Sequence, residues 1–269
     1  MKEISIEELK RLQLEILQAV HIFCEKNKIT YFLGYGSLIG AIRHKGYIPW
    51  DDDIDIMMLR EDYNRFLQLF NGAVANLEVF APELNCEYYA PYANVINRKT
   101  VLIEKGTSHR GVEMGVKIDV FPIDSVPSDF EKYCAYSRKM EKLNDILRYK
   151  RRRIRYCVGF KSKCKTICNK ILYSIISYGK IQKKIMSLVN KENDKKSIYV
   201  DLIVFPVYKK KRYERSLLDS TIKVEFEGLL FNAPIGYDSI LRSIYGDYMQ
   251  LPPKDKQITH HGFTAYWKD

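Results

Sequence analysis

The sequence has no long apolar run, no paired-cysteine motif and no repeat, and each absence removes a class of protein. No stretch approaches the roughly 18 uninterrupted apolar residues that a membrane span requires. The N-terminus, MKEISIEELKRLQLEIL, carries charges where a secretory leader has an apolar core, and no small-residue cleavage site follows. The six cysteines form no Cys-x-x-Cys pair, which argues against a zinc ribbon and against a secreted disulfide scaffold. Low-complexity tracts are also missing. With 46% hydrophobic and 29% charged residues in 269, the chain has material for one large domain, or a domain with a helical annex. The expectation is a globular protein on the cytoplasmic side.

What the chain does have is positive charge, unevenly spread. Residues 148–196 hold sixteen Lys and Arg against two acids, Glu192 and Asp194, an excess larger than the net +11 of the whole chain. The remainder is therefore net acidic. Such a segment reads as an electrostatic patch for an anionic surface rather than as scattered solvated lysines.

Ser5 and Glu8 have capping-box spacing, and Leu9, Leu12, Ile16, Val20 and Phe23 recur at helical intervals. This predicts a helix over 5–27, with His21 beside its apolar stripe. A short strand over 29–33 and a glycine turn follow, with Ser37 capping a short helix through Arg43. Residues 50–58 read as the next strand, 61–70 as a helix, 93–96 and 101–104 as strands, and 116–121 as a strand stopped by Pro122. Ser128 and Glu131 repeat the capping-box spacing before a helix toward Lys150. In the basic segment, Ile167, Cys168, Ile171, Leu172, Ile175, Ile176, Ile185 and Leu188 form a helical apolar stripe, broken or bent near Gly179. A strand over 224–226 and a helix over 237–245, ended by Gly246, complete an α+β or α/β core with a helical insertion.

The most informative stretch is Pro49-Trp50-Asp51-Asp52-Asp53-Ile54-Asp55-Ile56-Met57-Met58. Strand side chains alternate faces, so Ile54, Ile56 and Met58 face a core while Asp53 and Asp55, and Asp51 if the strand starts early, face the other way. Carboxylates two apart on one face converge on a hard divalent ion, and Mg²⁺ takes such oxygen ligands together with waters and substrate phosphates. Asp52 has the wrong parity and is expected on the surface or in a loop. Asp119, between Ile118 and Val120, is a matching third acid, because an acid inside an apolar strand is disfavoured unless paired or bound to metal. Asp124, beyond Pro122, reads as a loop or capping residue. An EF-hand is excluded by the missing glycine and glutamate of its loop. Gly36 and Ser37 at a helix N-terminus suit a phosphate.

Gly-Ser, then Asp-x-Asp on the next strand and a third Asp on a later one, resembles the nucleotidyltransferase superfamily. A closer resemblance is to the LicD family of phosphotransferases. It is carried by Gly34-Tyr35-Gly36-Ser37, by Arg43-His44-Lys45-Gly46-Tyr47-Ile48-Pro49-Trp50-Asp51-Asp52-Asp53-Ile54-Asp55, and by Ile118-Asp119-Val120-Phe121-Pro122. Phe226-Glu227-Gly228 and Tyr245-Gly246-Asp247-Tyr248 add to it. Family members commonly have Gly-Gly-Thr where this chain has Tyr35-Gly36-Ser37. The resemblance implies an α+β fold with a nucleotidyltransferase-like mixed β-sheet core flanked by helices and a basic helical insertion. It implies a catalytic core over 1–147, the basic segment over 148–196, and a C-terminal part over 197–269 that completes the domain.

The resemblance further implies transfer of phosphocholine, or a related phospho-alcohol, from CDP-choline or another CDP-alcohol to a glycan or lipid-linked oligosaccharide acceptor. A sugar hydroxyl attacks the β-phosphorus and CMP leaves. Asp53, Asp55 and Asp119 hold Mg²⁺ (or Mn²⁺), Asp51 orients a metal water, Gly36 and Ser37 hold a donor phosphate, and Arg43 adds a further phosphate contact. His44, with His260 and His261, is a candidate substrate contact; Trp50 is a candidate wall for a quaternary ammonium, and Arg98 and Thr100 are candidates for the donor pocket. Because such acceptors are often assembled at the cytoplasmic face, the basic segment predicts peripheral binding to an anionic membrane surface, with Arg151, Arg152 and Arg153 contributing. The alternative enzyme is a nucleotidyltransferase using a nucleoside triphosphate on an RNA or small molecule. A basic nucleic-acid-binding protein leaves the aspartates unexplained and lacks a recognisable motif, so no nucleic acid is expected.

Overall fold

A computed structural model describes residues 1–107, 112–192, 197–206, 211–259 and 262–269. In chain order its elements are α1 (Ile6–Asn27), β1 (Phe32–Leu33), α2 (Tyr35–Ile39), a π-helical turn (Gly40–His44), β2 (Asp55–Leu59), α3 (Arg60–Phe70), β3 (Leu77–Phe80), β4 (Ala93–Asn97), β5 (Thr100–Glu104) and β6 (Lys117–Ser125). There follow α4 (Phe130–Arg151), α5 (Phe160–Leu172), α6 (Tyr178–Glu192), β7 (Tyr199–Asp201), β8 (Tyr213–Glu214), β9 (Thr221–Phe226), β10 (Leu229–Pro234), α7 (Tyr237–Tyr245) and β11 (Phe263–Trp267). The fold is mixed α/β. Its seven-stranded sheet runs β1-β2-β6-β4-β3, with β7 on the far end of β6 and β8 beyond it. Only β2 and β6 are parallel within it.

Strand parity separates two cores. Ile56, Met58, Ile118 and Val120 pack with the α1 stripe (Leu9, Leu12, Ile16, Val20) and with Phe66 and Phe70 of α3. Met57, Phe121 and Ile123 point the opposite way, onto Tyr133 and Met140 of α4 and onto Ile181, Ile185 and Val189 of α6. Helix α1 starts as expected, with Ser5 accepting the Glu8 N–H at 3.2 Å, and α7 ends at Gly246 with φ 70°. His21 sits at the edge of that stripe, bonded through Nδ1 to the Tyr31 hydroxyl at 2.8 Å.

Several expected boundaries move, each for a physical reason. Strand β2 begins at Asp55 rather than at residue 50, because residues 48–54 turn back to meet α1: Gln13 Nε2 donates to the Asp52 carbonyl at 2.9 Å. Asp52 is thus in a loop as one alternative had it, but it is buried rather than on the surface. Pro122 does not stop β6. On that side of β6, β4 pairs only as far as Val120 and β7 begins at Asp124, so no ladder requires an N–H at position 122. Asp124 is therefore a strand residue, fully buried, and the Arg60 guanidinium grips it through Nε (2.6 Å) and Nη2 (2.8 Å). Helix α4 is capped by Asp129, whose Oδ1 accepts the Lys132 N–H at 2.7 Å, one residue later than the Ser128 spacing indicated. The basic stripe breaks over 173–177, which leaves Gly179 inside the first turn of α6.

Opposite Asp124 in the β6–β7 register lies Asp201. Burial pushes its carboxyl up to about 7, against the hydrogen bond from Tyr133 Oη (2.8 Å). Folding favours the protonated acid, so its contribution is complete below the unfolded-chain value near ~4 and is lost as pH rises through about 7. Asp201→Asn keeps an acceptor for Tyr133 without the charge. Its thermal midpoint relative to the parent should rise between pH 5 and pH 8, and a pH-independent difference would contradict this linkage.

Candidate active site

A pocket of about 620 Å³ opens on the second face of the sheet, and Asp51, Asp53, Asp55 and Asp119 line it. Asp55 and Asp119 are direct partners in the parallel β2–β6 ladder, so both side chains leave the same face one strand apart. Neighbouring strands lie about 4.8 Å apart, which lets two carboxylates share one ligand. The Asp119 N–H donates to the Ile54 carbonyl at 2.9 Å, locking this register at its first residue.

The Gly-Ser turn holds Asp55 from the other side. Gly34 N–H donates to the Asp55 carbonyl at 2.9 Å, and Asp55 N–H donates to Ser37 Oγ at 2.9 Å. Ser37 is 3% exposed and lies inside α2 rather than at its cap, a position Gly34 occupies. Its hydroxyl thus anchors β2 and does not line the pocket. Gly36 does line it, and a Cβ there would come within 2.5 Å of Asp51 Oδ2, so the glycine admits that carboxylate. Tyr35 has φ 44°, a conformation costly for a bulky residue. Its ring meets Phe121 edge-on at 5.5 Å.

Electrostatics follow from this crowding. Burial pushes the Asp55 carboxyl well above its usual value, and the charges of Asp53, Asp119 and Asp51 push the same way, with Lys117 opposing. Lys117 shares the parity of Asp119 and pairs with it; burial alone would lower the Lys117 ammonium, but Asp119 keeps it above its ordinary value. Asn94 Nδ2 also donates to Asp119 Oδ1, and Tyr88 in turn donates to Asn94. A further cation, Arg151, lines the pocket from the end of α4, its guanidinium 5.5 Å from the Tyr89 ring centre. The wall is aromatic: Tyr35, Phe121, Tyr92 and Phe205 form a chain of ring contacts, the last two steps at 4.5 and 5.3 Å. Trp50 and Tyr245 complete it.

Other candidates lie elsewhere. Arg43 Nη1 donates to the carbonyls of Tyr248 and Gln250, tying the π-helical turn to the Tyr245-Gly246-Asp247-Tyr248 motif. His44 Nε2 accepts from Arg43 Nε at 2.9 Å; burial, with Arg43 beside it, lowers the imidazole pKa. Neither residue lines the pocket, although the His44 ring meets Trp50 at 6.3 Å. Arg98 pairs with Glu78 and Thr100 bonds the Asn97 carbonyl, both away from the pocket. His260 and His261 lie outside the described residues. Glu227 closes a two-residue hairpin turn and accepts the Tyr47 N–H at 3.0 Å, so the Phe226-Glu227-Gly228 motif steadies the loop leading to the aspartates. Lys117, Tyr92 and Phe205 are not singled out by the sequence, although Lys117 stands two residues from Asp119 on one strand. Tyr35, Phe121 and Tyr245 stand inside the family motifs without an assigned role, and Arg151 reads there as a membrane contact.

The donor set suits a hard cation. Among the described residues no three His, Cys, Asp or Glu side chains form a ready-made metal cage. An open set of carboxylate oxygens, with the Asp55 proton affinity raised by burial and then by its acidic neighbours, is nevertheless what Mg²⁺ accepts when phosphates and waters supply its other ligands.

Fold and pocket thus define a mixed α/β domain built to gather carboxylates beside two cations. A family model described as "LicD/FKTN/FKRP, nucleotidyltransferase domain" matches residues 28–143, which include all four aspartates. The lipopolysaccharide cholinephosphotransferase LicD of Haemophilus influenzae is 33% identical over 272 residues, covering 99% of both chains. Uncharacterized proteins of Rickettsia typhi and Rickettsia prowazekii are each 41% identical, over 70 and 63 residues, about a quarter of either chain. The chain belongs to the LicD family.

Ser37→Ala deprives the Asp55 N–H of its partner, which should cost about 1–3 kcal/mol of stability. Urea unfolding measures this. An unchanged midpoint would mean that the hydroxyl does not anchor β2.

Proposed function

We propose that the protein is a metal-dependent phosphotransferase that moves phosphocholine, or a related phospho-alcohol, from a CDP-alcohol to a sugar hydroxyl of a cell-surface glycan or its lipid-linked precursor. The observation that carries this reading is the in-register pair Asp55 and Asp119 on the floor of an aromatic-walled pocket, in a chain alignable end to end with a cholinephosphotransferase. The nucleotidyltransferase-like character of the core belongs to the same reading, supported by the family model over 28–143.

Asp53, Asp55 and Asp119 would hold Mg²⁺ or Mn²⁺, with Asp51 on an ion-bound water. Bound there, the ion would lower the pKa of the sugar hydroxyl and neutralise phosphate charge. The chain's own residues do the rest. The acceptor oxygen bonds to the β-phosphorus, the bond from that phosphorus to the bridging oxygen breaks, and CMP leaves with the electron pair while an aspartate takes the hydroxyl proton. Lys117 fixes Asp119 in place. Arg151, which lines the same pocket as the aspartates, would meet the diphosphate, and Gly36 leaves room for Asp51. The Tyr35–Phe121–Tyr92–Phe205 wall, with Trp50, offers ring faces to a quaternary ammonium.

CMP release from CDP-choline, CDP-ribitol and CDP-glycerol with Mg²⁺ and glycan acceptors tests this directly. Release of pyrophosphate from a nucleoside triphosphate instead would overturn it. Asp53→Asn and Asp55→Asn should each abolish transfer with the fold kept, whereas Asp52→Asn, outside the pocket lining, should be far milder. Arg151→Gln should raise the donor KM about tenfold or more with a smaller effect on kcat, the charge-assisted contact being worth about 1.5–3 kcal/mol.

A further inference from the structure

The two helices of the basic segment are built in opposite senses. Helix α6 is amphipathic in the usual way, with Ile181, Ile185 and Val189 in the second core and Lys180, Lys183 and Lys184 exposed. Helix α5 is inside out. Toward the protein it turns Thr166, fully buried, with Ser162 and Lys170: Thr166 meets Cys157 Sγ at 3.4 Å, Ser162 Oγ accepts from Arg152, and Lys170 Nζ donates to the Lys150 carbonyl at 2.8 Å. Outward it presents Phe160 (82% exposed), Ile167 and Ile171, continued by Val158 (89%) before the helix and Ile175 (85%) after it.

Phe160, Cys164, Ile167 and Ile171 are spaced i, i+4, i+7, i+11 and form one stripe along α5. Lys161 and Lys165 fall on one flank of that stripe and Lys163 on the other, all exposed, with Arg155 just upstream. We propose that this face of α5 is a docking surface for an anionic lipid bilayer, with the Phe160–Ile171 stripe lying in the interface and the flanking lysines reaching the headgroups. Positive charge complementary to anionic headgroups here borders an apolar stripe that stands in solvent. Lysine stems run alongside the inserted side chains while their ammonium groups meet phosphate, a pattern suited to a helix lying in the plane of a membrane. A nucleic-acid surface would use the lysines and leave Phe160 and Val158 without a role. No described helix is long and apolar enough to cross a membrane, so the contact is interfacial. The structure also moves the docking charge away from Arg151 and Arg152, which are turned to the pocket and to Ser162. The proposal does not depend on which group the pocket transfers.

The test is co-sedimentation of the full chain with vesicles of phosphatidylcholine containing about a third phosphatidylglycerol, against pure phosphatidylcholine. Binding to the anionic vesicles only, released by about 1 M salt, is expected. Combined Lys161→Gln, Lys163→Gln and Lys165→Gln should weaken it at least about tenfold. Combined Phe160→Ser, Ile171→Ser and Ile175→Ser should weaken it similarly with an unchanged thermal midpoint and unchanged turnover of water-soluble acceptors, since these side chains are already in solvent. No binding, equal binding to neutral vesicles, or full binding by the serine variant would overturn the proposal. So would a dimer in sedimentation velocity that the serine substitutions dissociate, which would assign the face to a second copy.

Discussion

The parallel pairing of β2 with β6 is the constraint on which the rest of the molecule depends. It sets Asp55 beside Asp119, and by strand alternation it sends Ile56, Met58, Ile118 and Val120 into the core under α1 and α3. A slip of one residue would drive an aspartate in among the apolar side chains of α1 and α3, so the hydrophobic effect itself enforces the acidic pair. Polar bonds pin both ends of the ladder: Ser37, Gly34 and the Asp119–Ile54 bond at the pocket, and the Arg60–Asp124 fork farther along.

The aspartates are unfavourable neighbours for one another, and the surrounding groups tolerate rather than cancel this. Lys117 and Asn94 serve Asp119, while Asp55 faces three other carboxylates with its proton affinity raised. A buried cluster of like charges of this kind is stabilised by any cation bound against it, which is how the proposed metal would act on Asp55. The positive φ at Tyr35 is a second local cost at the same place, accepted where a ring is delivered to the pocket wall.

Much of this was legible in the sequence because it rests on period-two and period-3.6 patterns. Parity separated Asp55 and Asp119 from Ile56, Met58, Ile118 and Val120, while Asp53 reaches the pocket from the loop before β2. Capping chemistry placed the start of α1 and the end of α7. What was not legible came from contacts between distant segments. Ser37 looked like a helix cap because Gly-Ser before an apolar turn has that spacing; it is an anchor because β2 passes within reach of its hydroxyl. Pro122 looked like a strand end because a proline lacks an N–H, and the gap between the β4 and β7 ladders makes that harmless. Arg151 belonged, by composition, to a cationic run, and only the packing of α4 brings it to the pocket while α5 is left with its apolar side in solvent.

The central claim is that Asp55 and Asp119 jointly hold a cation that a nucleoside diphosphate completes. Electron paramagnetic resonance of Mn²⁺ titrated into the protein with and without CDP tests it most directly, since it reads ligation without turnover. The account predicts weak Mn²⁺ binding alone, tighter binding with CDP, and loss of both in Asp119→Asn. Mn²⁺ affinity that is indifferent to CDP, or that survives the Asp119→Asn substitution unchanged, would contradict it.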